Sequence, residues 1–187
     1  MKIFIKNMVC IRCKMVVKSE LERLDIHFIT INMGEVETTN EVSLRELNLL
    51  DNNLRQYGLE LLKNRKEIIA ERIKTAIMEL VRNENDELKI NLSESLSKKL
   101  SCNYSSLAIV FSEVVGISIE KFFIANKIER VKELMMYSDL NLKEISYIAR
   151  YSSIAHLSSQ FKKVTGIAPS QFRHLQQKSR RSLEQVA

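Results

Sequence analysis

Glycine and proline are scarce, with four and one respectively in 187 residues. A turn-rich β protein needs both at its punctuation points, so a mostly helical chain is expected. No apolar run approaches the roughly 18 residues of a membrane-spanning helix. The N-terminus has no signal-peptide pattern either, because Lys2 and Lys6 interrupt it early and no small-residue cleavage site follows. A cytoplasmic protein with no membrane partner is the expectation. Three cysteines are too few for a disulfide framework in that compartment, where a close pair more often binds metal or works in redox chemistry.

What is present is an ordinary apolar fraction of 45%, enough for one large core or two small ones. The charge is unevenly placed. Residues 1–89 hold 15 Lys+Arg and 15 Asp+Glu, whereas 90–187 hold 14 against 8. All of the net +6 therefore belongs to the second half. A polyanion is the natural partner for such a half, since phosphate neutralisation drives non-specific nucleic-acid affinity. A solvated basic surface without a partner is the plain alternative.

Residues 1–62 read as β-α-β-β-α-β. "KIFIKNM" alternates like a strand, and Cys13, Val16, Val17, Leu21 and Leu24 follow at helical spacing. "HFITINM" is strand-like again, Gly34 marks a turn, and "EVET" is its hairpin partner. Ser43 and Glu46 make a capping box for a helix carrying Leu44, Leu47, Leu50 and Leu54, with Gly58 as its stop and "LELL" as the last strand. Asn64 and Glu67 open a connecting helix over 63–84, striped by Ile69, Ile73, Ala76, Ile77, Leu80 and Val81. The polar "NENDE" marks a boundary. Residues 85–175 form an all-helical domain, and 176–187 a basic polar tail.

In that domain the chain repeats itself. Leu107, Phe111, Gly116 and Ile117 return as Leu157, Phe161, Gly166 and Ile167, each 50 positions later. A short apolar helix precedes each copy ("LSESLSKKL" and "LKEISYIA"), followed by a turn of three or four residues and a cap at Asn103 or Ser153. This is helix-turn-helix, twice, joined by one long helix through "SIEKFFIANKIERVKELMMYS". The expected fold is α+β: a small ferredoxin-like N-terminal domain, a connecting helix and an all-α C-terminal domain.

The paired units, closing with "FKKVTGIAPSQFR", resemble the DNA-binding domain of the AraC/XylS transcription regulators over about 88–175. The resemblance implies two recognition helices about 34 Å apart that enter successive major grooves of double-stranded DNA. It places base-reading positions at Ser105, Ser106, Ala108 and Ile109 in the first unit, and at Ala155, His156 and Ser159 in the second. Lys98, Lys99, Lys162, Lys163 and Arg173 are the candidate phosphate contacts, which position without specifying sequence. An isolated surface histidine is ordinarily without a ligand, but the place of His156 on a recognition helix favours DNA. The first unit departs from the family pattern. Ala108 and Ile109 can touch a thymine methyl but make no bidentate bond, and Glu113 stands where the second unit has Lys163. Arg150 replaces the family's turn glycine, which calls for a positive φ there. Leu107, Phe111, Leu157 and Phe161 are core, and Cys102 is expected to be a buried structural thiol.

"NMVCIRC" before a helix, inside β-α-β-β-α-β, resembles the heavy-metal-associated domain of copper chaperones and metal-transporting ATPases over about 1–62. Met8, Cys10 and Cys13 fill its Met-x-Cys-x-x-Cys motif, while Asn7 and Val9 replace its glycine and threonine. The resemblance implies a soft ion, Cu(I) or Zn(II), on Cys10 and Cys13. The helix dipole and Lys14 would favour the thiolate. Two thiolates suit Cu(I) and are half of a zinc site, which would need a second chain or His27. A Cys10–Cys13 disulfide switch, a domain that binds a protein or dimerises, and an accidental pair at a helix start are the alternatives.

The expectation is therefore a bacterial-type DNA-binding transcription regulator, not an enzyme, whose N-terminal domain senses a signal or forms a homodimer. RNA polymerase is a further partner if it activates. Two other classes stand further off: a regulator whose cysteine accepts alkyl groups from damaged DNA, and a free-standing metallochaperone.

Overall fold

Several helix ends in this protein fall where a side chain or a left-handed residue satisfies the terminal backbone groups. The structure, a computed structural model, describes residues 1–82 and 91–175. The expected boundary at "NENDE" and the tail 176–187 lie outside the described residues. The elements run β1 (Lys2–Lys6), α1 (Ile11–Arg23), β2 (Phe28–Asn32), β3 (Glu35–Thr38), α2 (Leu44–Arg55), β4 (Glu60–Leu62) and α3 (Arg65–Arg82). They continue as α4 (Leu92–Leu100), α5 (Tyr104–Val115), α6 (Ile119–Tyr137), α7 (Leu142–Ile148) and α8 (Ile154–Thr165). The chain is helical again over 169–175. Among the described residues no helix is long and apolar enough to cross a membrane.

By packing, the described chain divides into two compact units, 1–76 with 91–118 and 77–82 with 119–175. The division at 62 and 84 expected above follows chain order instead.

In the first unit the β-α-β-β-α-β order is as expected, and the sheet has the order β2-β3-β1-β4 with every pair antiparallel. Alternation in β1 sends Ile3 and Ile5 to one face, opposite Val36 and Leu61 in the register. That face meets Val17 and Leu21 of α1 and Leu50 and Leu54 of α2, and all eight side chains are buried in one core. Burying each is worth about 1.5–3 kcal/mol, which outweighs the low intrinsic stability of helices this short. Ser43 and Glu46 form the expected capping box. Gly58, at φ +73, ends α2 as expected: its N–H donates to the Arg55 carbonyl, and the next N–H, of Leu59, reaches Leu54. Asp51 ties α2 to β4, its carboxylate accepting from the Leu61 N–H at 2.9 Å and from Arg55 at 3.2 Å.

The start of α3, capped by Asn64 through the Lys66 N–H, belongs to the same unit. Its Glu71 accepts the Asn7 N–H at the end of β1, and its Lys66 pairs with Glu113 of α5 at 2.6 Å.

The same C-terminal turn recurs with residues other than glycine. Asp25, Ser101 and Arg150 hold φ of +55, +51 and +54 at the ends of α1, α4 and α7. In each case the following N–H reaches back five residues: Ile26 to Leu21, Cys102 to Ser97 and Tyr151 to Ser146. A left-handed L-residue costs about 1–2 kcal/mol, partly offset by the greater chain entropy glycine would lose. Ser101→Gly is therefore expected to raise stability by about 0.5–1 kcal/mol. A higher denaturant midpoint with unchanged slope in urea unfolding is the result to look for.

Candidate nucleic-acid interface

Each helix-turn-helix is built from one buried apolar pair and one capping side chain. In the first unit Leu96 of α4 is buried, as are Leu107 and Phe111, one turn apart on α5. Asn103 caps α5, its Oδ1 accepting the Ser105 N–H at 2.9 Å. In the second unit Ile145 of α7 and Leu157 and Phe161 of α8 take the same places. Ser153 caps α8 through the His156 N–H at 3.0 Å, and Phe172 packs its ring against Phe161 at 5.6 Å. Asn141 and Glu144 add a capping box at the start of α7.

Burial of Leu and Phe at this spacing leaves the opposite face of each second helix outward. Ser105, Ser106 and Ile109 are exposed on α5, with Ala108 half-buried; Ile109 shows 66% of its surface. Ala155, His156 and Ser159 are exposed on α8, followed by Lys162 and Lys163 in its last turn. Lys98 and Lys99 are exposed at the end of α4. Arg173 is half-buried and donates to the Leu140 carbonyl at 2.7 Å, so part of its guanidinium is already engaged within the fold.

The turns of the two units differ. From the left-handed residue to the cap, the first runs Ser101, Cys102, Asn103, and the second runs Arg150, Tyr151, Ser152, Ser153. The second helices repeat at 50 positions, but the first helices at 49, Leu96 matching Ile145. The extra residue is Ser152. The positive φ called for at Arg150 is found.

Cys102 is exposed, which corrects the expectation of a buried thiol. It stands alone between the left-handed Ser101 and the cap Asn103, where the chain reverses, and its side chain is carried outward. The corresponding Tyr151 is half-buried and serves the second unit instead.

Around Tyr151 the structure gathers Lys127 and Ser152, which the sequence did not single out, with Arg150 and His156, which it did. Lys127 of α6 holds its Nζ 4.0 Å from the Tyr151 ring centroid and donates to the Arg150 carbonyl at 3.2 Å. Burial, with the Arg150 guanidinium adding to it, pushes the Lys127 ammonium down to about 8; the carbonyl and ring face hold the charge in place. Burial also pushes the Tyr151 phenol up to about 12. The Tyr151 ring meets His156 edge-on at 5.3 Å, and Ser152 Oγ lies 2.9 Å from His156 Nδ1.

At the other end of the chain, Cys10 stands at the N-cap position of α1 without a side-chain capping bond, both cysteines are partly exposed, and their sulfurs lie 3.3 Å apart. The Cys10 thiol is held below its ordinary range by the Cys13 backbone N–H, then by the Cys13 thiol and by the Arg12 N–H and guanidinium. The contributing cation is thus Arg12 rather than Lys14. Met8 is buried in the sheet core. Asn7 has φ +65, which explains why its position suits glycine and tolerates asparagine. Its side chain donates to the Gly58 carbonyl, its N–H to Glu71, and its carbonyl accepts from the Cys13 thiol at 3.9 Å. His27 is exposed, with Nδ1 3.2 Å from the Asp25 carbonyl. Among the described residues no group of three His, Cys, Asp or Glu side chains is placed to hold a metal ion.

A family model described as a helix-turn-helix domain matches residues 96–175. The melibiose operon regulatory protein of Escherichia coli K12 is 29% identical over 84 residues, 45% of this chain and 27% of that protein. This chain therefore aligns with about a quarter of that relative's length. Among solved structures, the C-terminal domain of AraT, a response regulator from Geobacillus stearothermophilus, superposes with a TM-score of 0.52 at 23% identity, covering 60% of this chain and 88% of that one. The DNA-binding domain of AdpA, a global transcriptional factor solved with a target DNA, does so at 0.51 and 15% identity, covering 59% and 95%. The C-terminal part of this chain, residues 96–175, is thus a helix-turn-helix domain with the AraC-type fold.

Proposed function

We propose that this protein is a sequence-specific transcription regulator that binds double-stranded DNA through α5 and α8, each in a major groove. The observation that carries this is the doubled helix-turn-helix, in which a buried Leu–Phe pair leaves the opposite face outward on both second helices, with Ser105, Ser106 and Ile109 exposed on α5 and Ala155, His156 and Ser159 on α8. The AraC-type fold of 96–175 and the net charge of the second half support it. On this reading Ser105, Ser106, Ala108 and Ile109 make apolar and short polar contacts from α5, and Ala155, His156 and Ser159 read from α8. Lys98, Lys99, Lys162, Lys163 and the free part of Arg173 meet phosphates. The test is binding to a fluorescent random duplex over a range of salt, followed by selection from a random-sequence pool. Steep salt dependence and an enriched sequence are expected; enrichment of no sequence would reject specific readout.

For the N-terminal sheet we propose a ferredoxin-like, heavy-metal-associated type of domain that receives a signal at Cys10 and Cys13. The strand order β2-β3-β1-β4 and the paired thiols support this. The residues present suit a two-coordinate soft ion such as Cu(I), and they offer two of the four donors a structural zinc would take. A bound ion would supply a bond that fixes the two sulfurs relative to each other. Cys13 touches Asn7, Asn7 touches Glu71 of α3, and Lys66 of α3 touches Glu113 of α5. A change at the cysteines thus has a continuous path to the first recognition helix inside one unit. The second reading is a disulfide, formed when a peroxide takes two electrons from the two thiols and leaves as water. Anaerobic Cu(I) and Zn(II) titrations of the reduced protein, beside Cys10→Ser and Cys13→Ser, separate the readings. Binding lost in both variants supports metal; no binding, with a two-hydrogen mass loss after peroxide, supports the switch. Signalling of either kind requires DNA affinity to differ between the two states.

A further inference from the structure

An exposed histidine on a helix normally samples several rotamers, and either ring nitrogen can carry its proton. His156 is exposed but not free in this sense. Its Nδ1 is taken by Ser152 Oγ at 2.9 Å, and its ring meets the Tyr151 ring at 90° and 5.3 Å. Tyr151 is itself held, since Lys127 of α6 lies on its ring and bonds the adjoining Arg150 carbonyl. His156 is also the third residue after the cap, and its own N–H is fixed on Ser153. The one ring nitrogen left for a partner is Nε2. Ser152 is the residue by which the second turn exceeds the first, so the first unit has no counterpart to this arrangement.

Resting on the DNA-binding reading above, we propose that Ser152 and Tyr151 are positioning residues that orient His156 so that its Nε2–H is presented to a guanine edge. When the Ser152 hydroxyl donates to Nδ1, the neutral ring carries its proton on Nε2. When the ring is cationic, Nδ1–H donates to Ser152 Oγ and Nε2 again carries a proton. Both of these states present a donor, whereas the other neutral tautomer, with Nδ1–H donating to Ser152 Oγ, leaves Nε2 an acceptor, and the spectra below tell them apart. Guanine offers two adjacent acceptors, N7 and O6, on its major-groove edge. The second unit thereby gains directed readout that its short neighbours, Ala155 and Ser159, do not supply by length.

The test compares full-length wild type, His156→Ala, Ser152→Ala and Ser152→Thr by selection from a random duplex pool, with affinity for unselected duplex as the control. His156→Ala is expected to lower preference for guanine at one position by about tenfold. Ser152→Ala is expected to lower it at that same position and Ser152→Thr to restore it, with unselected-duplex affinity unchanged within about twofold. An unaltered preference profile in Ser152→Ala or in His156→Ala overturns the proposal. Imidazole nitrogen–proton spectra of the free protein read the positioning without DNA. A dominant Nε2–H form in wild type that becomes a mixed population in Ser152→Ala supports it, and identical spectra overturn it. Should wild type enrich no sequence, the DNA reading falls, while the spectra still decide whether Ser152 sets the ring.

Discussion

Phe161→Ala is expected to destabilise the second unit by about 3–5 kcal/mol, the usual cost of truncating a buried phenylalanine. Phe161 has no exposed surface and packs with Ile128, Val131, Ile145 and Leu157, and its ring meets Phe172. Removing it takes away the transfer energy of the ring and leaves a void that α6, α7 and α8 can close only by moving. α8 is 12 residues long, too short to persist on intrinsic propensity once its packed face is lost. Phe111→Ala, at the equivalent place in the repeat, is the informative contrast, because it belongs to the first unit with the sheet. Amide hydrogen exchange should show lost protection over 154–165 in Phe161→Ala with 104–115 retained, and the reverse preference in Phe111→Ala. Equal loss over both segments in both variants would mean that the units unfold as one.

The second large effect is electrostatic. Replacing Lys162 and Lys163 together by alanine should weaken binding to selected and unselected duplex by the same factor, leaving sequence preference in place. Both ammonium groups are exposed in the last turn of α8, just after the face that carries His156 and Ser159. If each neutralises one phosphate, the slope of log affinity against log salt becomes shallower by about 2, at about 0.9 per phosphate contact. Titrations at several salt concentrations measure this directly. A slope equal to wild type would place these lysines away from the backbone. A changed base preference would mean that they reach base edges. The exchange costs little stability, since exposed lysines contribute little to it.

Lys163 and Glu113 hold equivalent places in the two repeats but have different surroundings. In sequence, Glu113 reads only as a misplaced negative charge beside DNA. In the structure it pairs with Lys66 of α3, 47 positions away, and so faces the N-terminal part of its own unit. An exposed pair of this kind adds at most about 1 kcal/mol. Asn7 is a similar case. As a departure from a motif it looks like a loss, yet its left-handed backbone and its bonds to Gly58, Glu71 and Cys13 make it the junction of the cysteine loop with α3.

The sequence by itself determined the elements of this protein and the doubling of its helix-turn-helix. Leu and Phe four apart, a capping Asn or Ser before them and a glycine after them act within one or two turns, so their pattern is readable along the chain. The capping box at Ser43, the stop at Gly58 and the positive φ at Arg150 were legible for the same reason. Only the tertiary structure decided which outward side chains meet. The Lys66–Glu113 pair, the Lys127–Tyr151–His156 cluster and the exposure of Cys102 depend on residues brought together from distant elements, or on one residue more or less in a turn. Burial is periodic and leaves a signature in composition. A contact between two exposed polar side chains is not periodic, and it exists only once packing has set the distance between them.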